Sequence, residues 1–230
     1  MNQLNRQSLV SLLATAQLWL ERALPEDLDP PLSVTIEQEG EMEIRGKLTR
    51  FRAKGVCKAP PLSFNWQARL QMLPGVWIVA EDGHSEGQGW GGAKLWGILP
   101  MGKRTDPEVL TTQVVRNLGE LPWLPSLVLS DSTLEWNDVR ENVFEVRHTA
   151  GDQEVMIRFD VDEHGDVIRA FSPSRPYETT DGYAESPWRC EFSDHREFGG
   201  VRIPAAAVAT YDKEDGAWEY FRGTIVNITY

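Results

Sequence analysis

The feature that most constrains this chain is a period-two alternation of apolar and polar residues that starts after Leu32 and runs nearly to the C-terminus. Leu62, Phe64, Trp66, Ala68 and Leu70 alternate with Ser63, Asn65, Gln67 and Arg69, so a strand here buries one face and wets the other. Val155, Ile157 and Phe159 repeat the habit, as do Trp188, Cys190 and Phe192 and the stretch from Tyr220 to Tyr230. Turn signals separate such runs at Asp82-Gly83, Glu163-His164-Gly165-Asp166, Gly199-Gly200 and Asp215-Gly216. Many strands joined by short turns predict a meandering antiparallel sheet. Over 44–58 the phase slips: Arg45 and Lys47 share one parity, and Arg50, Arg52 and Lys54 the other. Because side chains alternate strictly, the spacing predicts a β-bulge near Thr49 that bends the strand.

Helical spacing interrupts the alternation. From Ser8 to Leu24, the residues Leu9, Leu12, Leu13, Ala16, Leu20 and Leu24 recur at three- and four-residue steps, and Pro25 and Pro30-Pro31 end the pattern. The polar face lacks the Lys and Arg of a membrane-surface helix, so this helix is expected to dock on the core. Asp106 suits an N-cap and Pro107 a first helical position; Leu110, Val114, Leu118 and Leu121 form the apolar stripe, and Pro122 stops it. The run from Trp123 to Leu129 is almost wholly apolar and predicts a short buried helix from Pro125. Helices this apolar must be covered, and the concave face of a curved sheet is the natural cover. The expectation is an α+β fold, mainly an antiparallel curved sheet packed around helices. It forms one domain, with an N-terminal helix and linker over 1–30 and the sheet over 31–230, helices at 106–129 included.

Lys and Arg number 23 against 35 acids, a net charge of −12, so the phosphates of bare nucleic acid would repel the chain and no nucleic-acid partner is expected. The charge is uneven: residues through Val115 net −1 and the rest −11, while 44–80 holds seven bases and no acid. That basic stretch could steer an anionic ligand or partner, or could be a solvated sheet face. No apolar run has the length of a membrane span. The run before Ala14-Thr15-Ala16 is about half the length of a secretory core, and the expected compartment is the cytoplasm. Cys57 and Cys190 lie far apart with no CxxC pair, the habit of small buried apolar groups; a single disulfide stays open.

No residue pattern specifies a reaction. His84, His148, His164 and His195 have no zinc spacing. The run Asp160 to Asp166 imitates a calcium loop, but His164 stands fifth and Phe171 twelfth where ligands are needed, so a hairpin turn is expected. Gly87-Gln88-Gly89-Trp90-Gly91-Gly92 is followed by strand-like alternation rather than a helix, so these glycines are read as relieving crowding beside tryptophan or backbone. There is no GxSxG elbow, and Asp194-His195 with Glu197 is an adjacency that an acidic chain yields by chance. No catalytic residue, metal or cofactor is assigned. Arg116 and Glu120, four apart, share a helix face and can pair, either at the surface or at a pocket mouth where arginine would grip a carboxylate or phosphate. Nine tryptophans are many for this length; Trp66, Trp77, Trp90, Trp96, Trp123, Trp136, Trp188 and Trp218 fall on or beside strands or the buried helix. Core packing and the lining of an apolar cavity both use such residues.

The segment Arg116-Asn117-Leu118-Gly119-Glu120-Leu121-Pro122-Trp123-Leu124-Pro125 resembles the arginine-x-leucine-x-glutamate, tryptophan, proline segment of an uncharacterised bacterial family, a domain of unknown function of the DUF6544 type. Phe51-Arg52-Ala53, Phe64-Asn65-Trp66-Gln67-Ala68 and Asp82 through Gly89 extend the likeness. So do Arg175, Trp188, Phe198 through Pro204, and Tyr220 through Tyr230, and the likeness starts near Pro31. Leu48, Asn117 and His84 depart from it, standing where a tryptophan, an aromatic and a tyrosine are expected. The family is similar in shape to bacterial lipoprotein carriers, which implies an antiparallel half-barrel closed over helices around an apolar cavity.

Three functions follow as expectations. The first is a non-enzymatic binder of a lipid or other apolar or amphiphilic molecule, with Arg116, Glu120 and Arg175 near the opening, Trp123, Trp66 and Trp188 on the wall, and Asp82 and His84 in the same site. The second is an enzyme acting on a small anionic substrate through Asp82, His84, Glu120 and Arg116. The third is an interaction protein using the basic strand.

Overall fold

The computed structural model describes residues 14–24, 31–126, 129 and 131–230. After helix α1 (Ala14–Ala23) come six strands, β1 (Ser33–Ile44), β2 (Lys47–Lys58), β3 (Ser63–Leu73), β4 (Val76–Ser85), β5 (Gln88–Leu95) and β6 (Leu99–Arg104). Helix α2 (Pro107–Gly119) and a 3₁₀ turn at Leu121–Trp123 follow. Seven strands complete the chain: β7 (Glu135–Arg140), β8 (Val143–Ala150), β9 (Gln153–Val161), β10 (Val167–Thr179), β11 (Gly182–Phe198), β12 (Val201–Lys213) and β13 (Gly216–Thr229).

All thirteen strands belong to one sheet, in the spatial order β6-β5-β4-β3-β2-β1-β13-β12-β11-β10-β9-β8-β7. The chain thus starts mid-sheet, walks outward to the β6 edge, crosses to the opposite edge at β7, and walks back until β13 pairs with β1. Every pairing is antiparallel, as the alternation and short turns require. The crossing element is α2, which touches β3, β4 and β5 on one side and β8, β9 and β10 on the other. A sheet whose two halves close on one helix is a curled half-barrel, and α2 lies in its trough.

The inward faces are those the alternation marks. Phe64, Trp66, Ala68 and Leu70 are buried on one face of β3, with Leu62 buried just before it, and Leu110, Val114 and Leu118 are buried along α2, with Leu121 buried in the turn after it. Gly89 sits where α2 meets β5: a Cβ there would run into the Leu110 backbone, and one on Gly83 would run into the Trp90 ring. In the run 87–92 Gly89, Gly91 and Gly92 therefore answer crowding, as the sequence suggests, whereas Gly87 (φ 74) has nothing near it and serves the chain reversal. In α1 the buried face is Ala16, Trp19, Leu20 and Ala23, with the Trp19 ring stacked 5.4 Å from Phe144. The expected start of this helix at Ser8, and its ending prolines Pro25 and Pro30, lie outside the described residues.

Three local expectations are corrected. The phase slip over 44–58 is not a bulge at Thr49 but a chain reversal. Arg45 (φ 52) and Gly46 (φ 77) form a two-residue hairpin turn, and the β1–β2 register is unbroken from Ser33↔Lys58 to Ile44↔Lys47. Asp82-Gly83 is not a turn either; it lies inside β4, and the reversal comes at Glu86 (φ 51) and Gly87 (φ 74). Asp106 starts α2 in extended backbone, yet its carboxylate caps nothing and accepts a hydrogen bond from Tyr183 Oη at 3.1 Å. The basic strand β2, by contrast, is a solvated sheet face, one of the two readings the sequence offers, with Arg50, Arg52 and Lys54 exposed. Across the hairpin Lys54 meets Glu37 at 4.0 Å, Arg52 meets Glu39 at 3.6 Å and Arg50 meets Glu41 at 3.6 Å, so neighbouring acids neutralise it.

Other expectations hold. Asp160 to Asp166 is a hairpin turn in which the Asp162 carboxylate accepts the backbone N–H groups of His164 and Asp166 at 2.9 Å. Cys57 and Cys190 are both buried and free. Of the helix expected from Pro125, positions 127, 128 and 130 lie outside the described residues, while Leu129 is helical and its N–H donates to the Ser126 carbonyl at 3.0 Å. Among the described residues no helix is long and apolar enough to cross a membrane.

Candidate ligand-binding cavity

Between α2 and the concave face of the sheet lies a cavity of about 260 Å³. Its origin is a shortage of side chain. On β12 the inward positions beneath it are Ala207 and Ala209, which bring little bulk to that side, while Gly119 on α2 lets the Trp188 ring pack close against the helix. Around that gap stand large rings, Trp188, Tyr211, Trp218, Tyr220 and Phe221. Tyr211 stacks 5.7 Å from Trp218 and lies 5.3 Å from Tyr220, so these rings brace one another and do not collapse into the space.

One polar group in the cavity is built on Arg116. Its Nε donates to Glu120 Oε1 at 2.9 Å, and its Nη1 reaches Asp82 Oδ2 at 3.3 Å. The same guanidinium lies over the Trp66 ring at 4.5 Å and the Phe64 ring at 4.7 Å. Helical spacing brings Arg116 and Glu120 together, while β4 supplies Asp82 from across the trough. Glu120 Oε2 also accepts from the Cys57 thiol at 3.6 Å. Burial pushes the Asp82 carboxyl above its ordinary range, against the opposing pull of Arg116 and Arg175. Burial, and then the Glu120 charge, push the Cys57 thiol well up, so it is no nucleophile at neutral pH.

The second polar group is built on Arg175, which is only 5% exposed. In β10, Ala170 and Ser172 face inward, and strict alternation would turn residue 175 outward. A bulge intervenes: Ser172 pairs with Trp188 but Arg175 pairs with Ser186, so one extra residue sits in β10. The exposed Pro173 and Ser174 absorb it, and Arg175 is turned into the cavity. There its Nε donates to the Thr112 carbonyl at 3.3 Å and its Nη1 to Tyr220 Oη at 2.7 Å, with its plane near the Trp188 ring at 4.9 Å. Burial pulls against its charge, but Tyr211, Tyr220 and Asp82 outweigh that and keep the group protonated.

Of the residues singled out from sequence, Arg116, Glu120, Trp123, Arg175, Asp82, Trp66 and Trp188 line this one cavity. His84 does not. Although it shares the inner side of β4 with Asp82, it lies deeper under α2, 3% exposed, with Nε2 2.9 Å from Asn117 Nδ2 and its ring beside Phe64. Burial, with a smaller contribution from His148, lowers its pKa to about 4. The acid–base set of Asp82, His84, Glu120 and Arg116 is therefore not assembled, because the strand carries His84 past the helix edge of the cavity. His84 and Asn117, two of the three departures from the family pattern, are in fact each other's partners.

The exposed lining residues are Arg104 and Glu178, which form an ion pair between β6 and β10, so the rim lies there rather than at Arg116 or Arg175. The sequence flags Trp218 only as one of many tryptophans, and it singles out neither Tyr211, Tyr220 nor Gln113, whose Oε1 has no partner among the described residues. The inward parity of Tyr211, Trp218 and Tyr220 was readable, but which side of the sheet held a void was not.

The sequence profile of a family of unknown function (DUF6544) matches residues 2–223, and the chain belongs to that family. A comparison with curated proteins returned no match. Among solved structures the chain is similar to one assigned as an outer membrane lipoprotein-sorting protein domain from Vibrio parahaemolyticus, at 11% identity, over 96% of this chain and 92% of that one, with a TM-score of 0.49. It is also similar to the LolA superfamily protein NE2245 from Nitrosomonas europaea, at 11% identity, over 94% of both chains, with a TM-score of 0.47.

Proposed function

We propose that this member of the DUF6544 family is a binding protein that holds an apolar or amphiphilic small molecule in the trough between α2 and the sheet. The observation that carries the reading is the cavity itself. It has an alanine floor, an aromatic wall and a few convergent polar groups, the composition of a small-molecule site. A hydrocarbon chain laid on Ala207 and Ala209 would bury apolar surface worth about 25 cal/mol per Å². The polar groups at Arg116 and Arg175 would then receive a head group. The cysteine that lines the cavity, Cys190, is held as a thiol by burial, and the nearby His84 is engaged with Asn117, so neither supports a reaction.

Trp66, Trp123, Trp188 and Trp218 all line the cavity, so intrinsic fluorescence reports its occupancy. Titration with decanoate or decanol is expected to quench or shift tryptophan emission saturably, and native mass spectrometry of gently purified protein is expected to show a co-purifying amphiphile. Consistently empty mass peaks together with unchanged emission would overturn the reading.

A further inference from the structure

Three arginines line the cavity; Arg104 pairs with Glu178 at the rim, and the two inner ones have opposite circumstances. Arg116 is met by two carboxylates, Asp82 and Glu120. Arg175 is more deeply buried, yet among the described residues it has no carboxylate within the 4.0 Å of an ion pair. Asp82 acts on it only from a distance, and burying a charge without a contacting counterion is expensive, so proteins rarely keep one unless something else uses it. Resting on the reading of the cavity as an amphiphile site, we infer that Arg175 and Tyr220 form its anion subsite, and that the ligand is an apolar chain ending in a carboxylate or phosphate.

Donor arithmetic supports the assignment. A guanidinium has five N–H donors, and Arg175 spends two, on the Thr112 carbonyl and on Tyr220 Oη. The remaining three have no protein acceptor among the described residues. Tyr220 Oη receives two hydrogen bonds, from Arg175 Nη1 at 2.7 Å and from Trp188 Nε1 at 3.0 Å, while its own proton has no acceptor there. A cluster of donors, one of them a fixed cation, therefore faces a cavity with nothing to receive them, which is the complement of an oxyanion.

The backbone indicates that this arrangement is built. Without the extra residue at 173–174, Arg175 would point to solvent, where its charge would cost nothing. The acids of the cavity sharpen the choice of place: Glu178 pairs with Arg104 at the rim, which leaves Asp82 and Glu120 inside. Both are held by Arg116, so an anion is disfavoured there and favoured at Arg175. Below this subsite the rings of Trp188 and Tyr211 lead onto Ala209 and Ala207, a surface for an apolar tail. The net charge of −12 makes the prediction stringent, since long-range electrostatics oppose the approach of any anion.

The test is a fluorescence titration with four probes of equal chain length: decanoate, decyl phosphate, decanol and decyltrimethylammonium. At least one anion is expected to bind about tenfold or more tightly than decanol, the worth of a charge-assisted hydrogen bond. Which anion leads distinguishes a carboxylate from a phosphate ligand. Arg175→Gln is expected to bring that anion down to the decanol level while decanol affinity moves less than about twofold. Tyr220→Phe, which keeps the ring, is expected to weaken the anion alone. If Arg175→Gln does not fold, the wild-type series and Tyr220→Phe decide: equal binding of anion and alcohol, or equal loss of both in Tyr220→Phe, overturns the subsite and leaves the cavity reading standing. If none of the four binds, the cavity reading itself fails.

Discussion

Arg116 and Arg175 show how differently one side chain can be used within a single cavity. Arg116 ties α2 to β4 through Asp82 and Glu120, a linkage that holds the helix in its trough. Arg175 ties little together and points its free donors into the void. His84 illustrates a third use, a titratable group kept neutral: it is buried against Asn117 and Phe64, with its pKa lowered from 6.5 to about 4. In the unfolded chain this histidine takes up a proton below about 6.5, whereas the folded protein resists until about 4. The unfolded state thus binds more protons in that window, and stability rises with pH across it. Urea unfolding is expected to lose up to about 3 kcal/mol between pH 6.5 and pH 4 from this group, and His84→Gln is expected to flatten the slope above pH 5. Glu145 and Asp166, whose carboxyls lie below their ordinary 4.5 and 3.8, contribute only lower down. An unchanged slope in His84→Gln would mean that some other group senses acid.

At the level of elements, the cavity is a property of β12, and the anion subsite a property of β10. Ala207 and Ala209 leave the space that bulkier inward residues fill elsewhere in the sheet. Ala209→Leu is therefore expected to give a folded protein, with a far-ultraviolet spectrum like that of the wild type, in which decanoate no longer changes tryptophan emission. Retained binding would place the ligand elsewhere. The strands themselves were legible because each inward face is a run of alternating apolar residues, as in β3. Two features were misread for a common reason: glycine and parity each have more than one cause. Gly83 exists for the Trp90 ring, not for a turn, and the parity change before Arg50 comes from a two-residue reversal at Arg45-Gly46, not from an inserted residue. Among the register shifts of the sheet, the one that serves the cavity, at Pro173-Ser174, carried a signal that could have been used, a proline inside a strand pattern. An alanine pattern such as Ala207 and Ala209 carries no such signal, because the same residues would serve where a helix packs close.

At the scale of the molecule, the topology explains why the site is where it is. The chain has to pass from the β6 edge to the β7 edge, and α2 makes that passage through the trough, which brings β4, β10 and β13 residues to one helix. The greasy segment around Arg116 to Trp123 pointed to a covered helix, and its likeness to an uncharacterised family is matched by membership of that family. Pairing of β1 with β13, by contrast, joins the two ends of the sheet meander, a long-range contact that local periodicity does not encode. The most direct examination of the whole account is crystallography of the protein soaked with decanoate brominated at its far end. The account predicts a bromine anomalous peak between α2 and β12, with the carboxylate at Arg175 and Tyr220. An empty or side-chain-filled trough in well-diffracting, ligand-saturated crystals would contradict it.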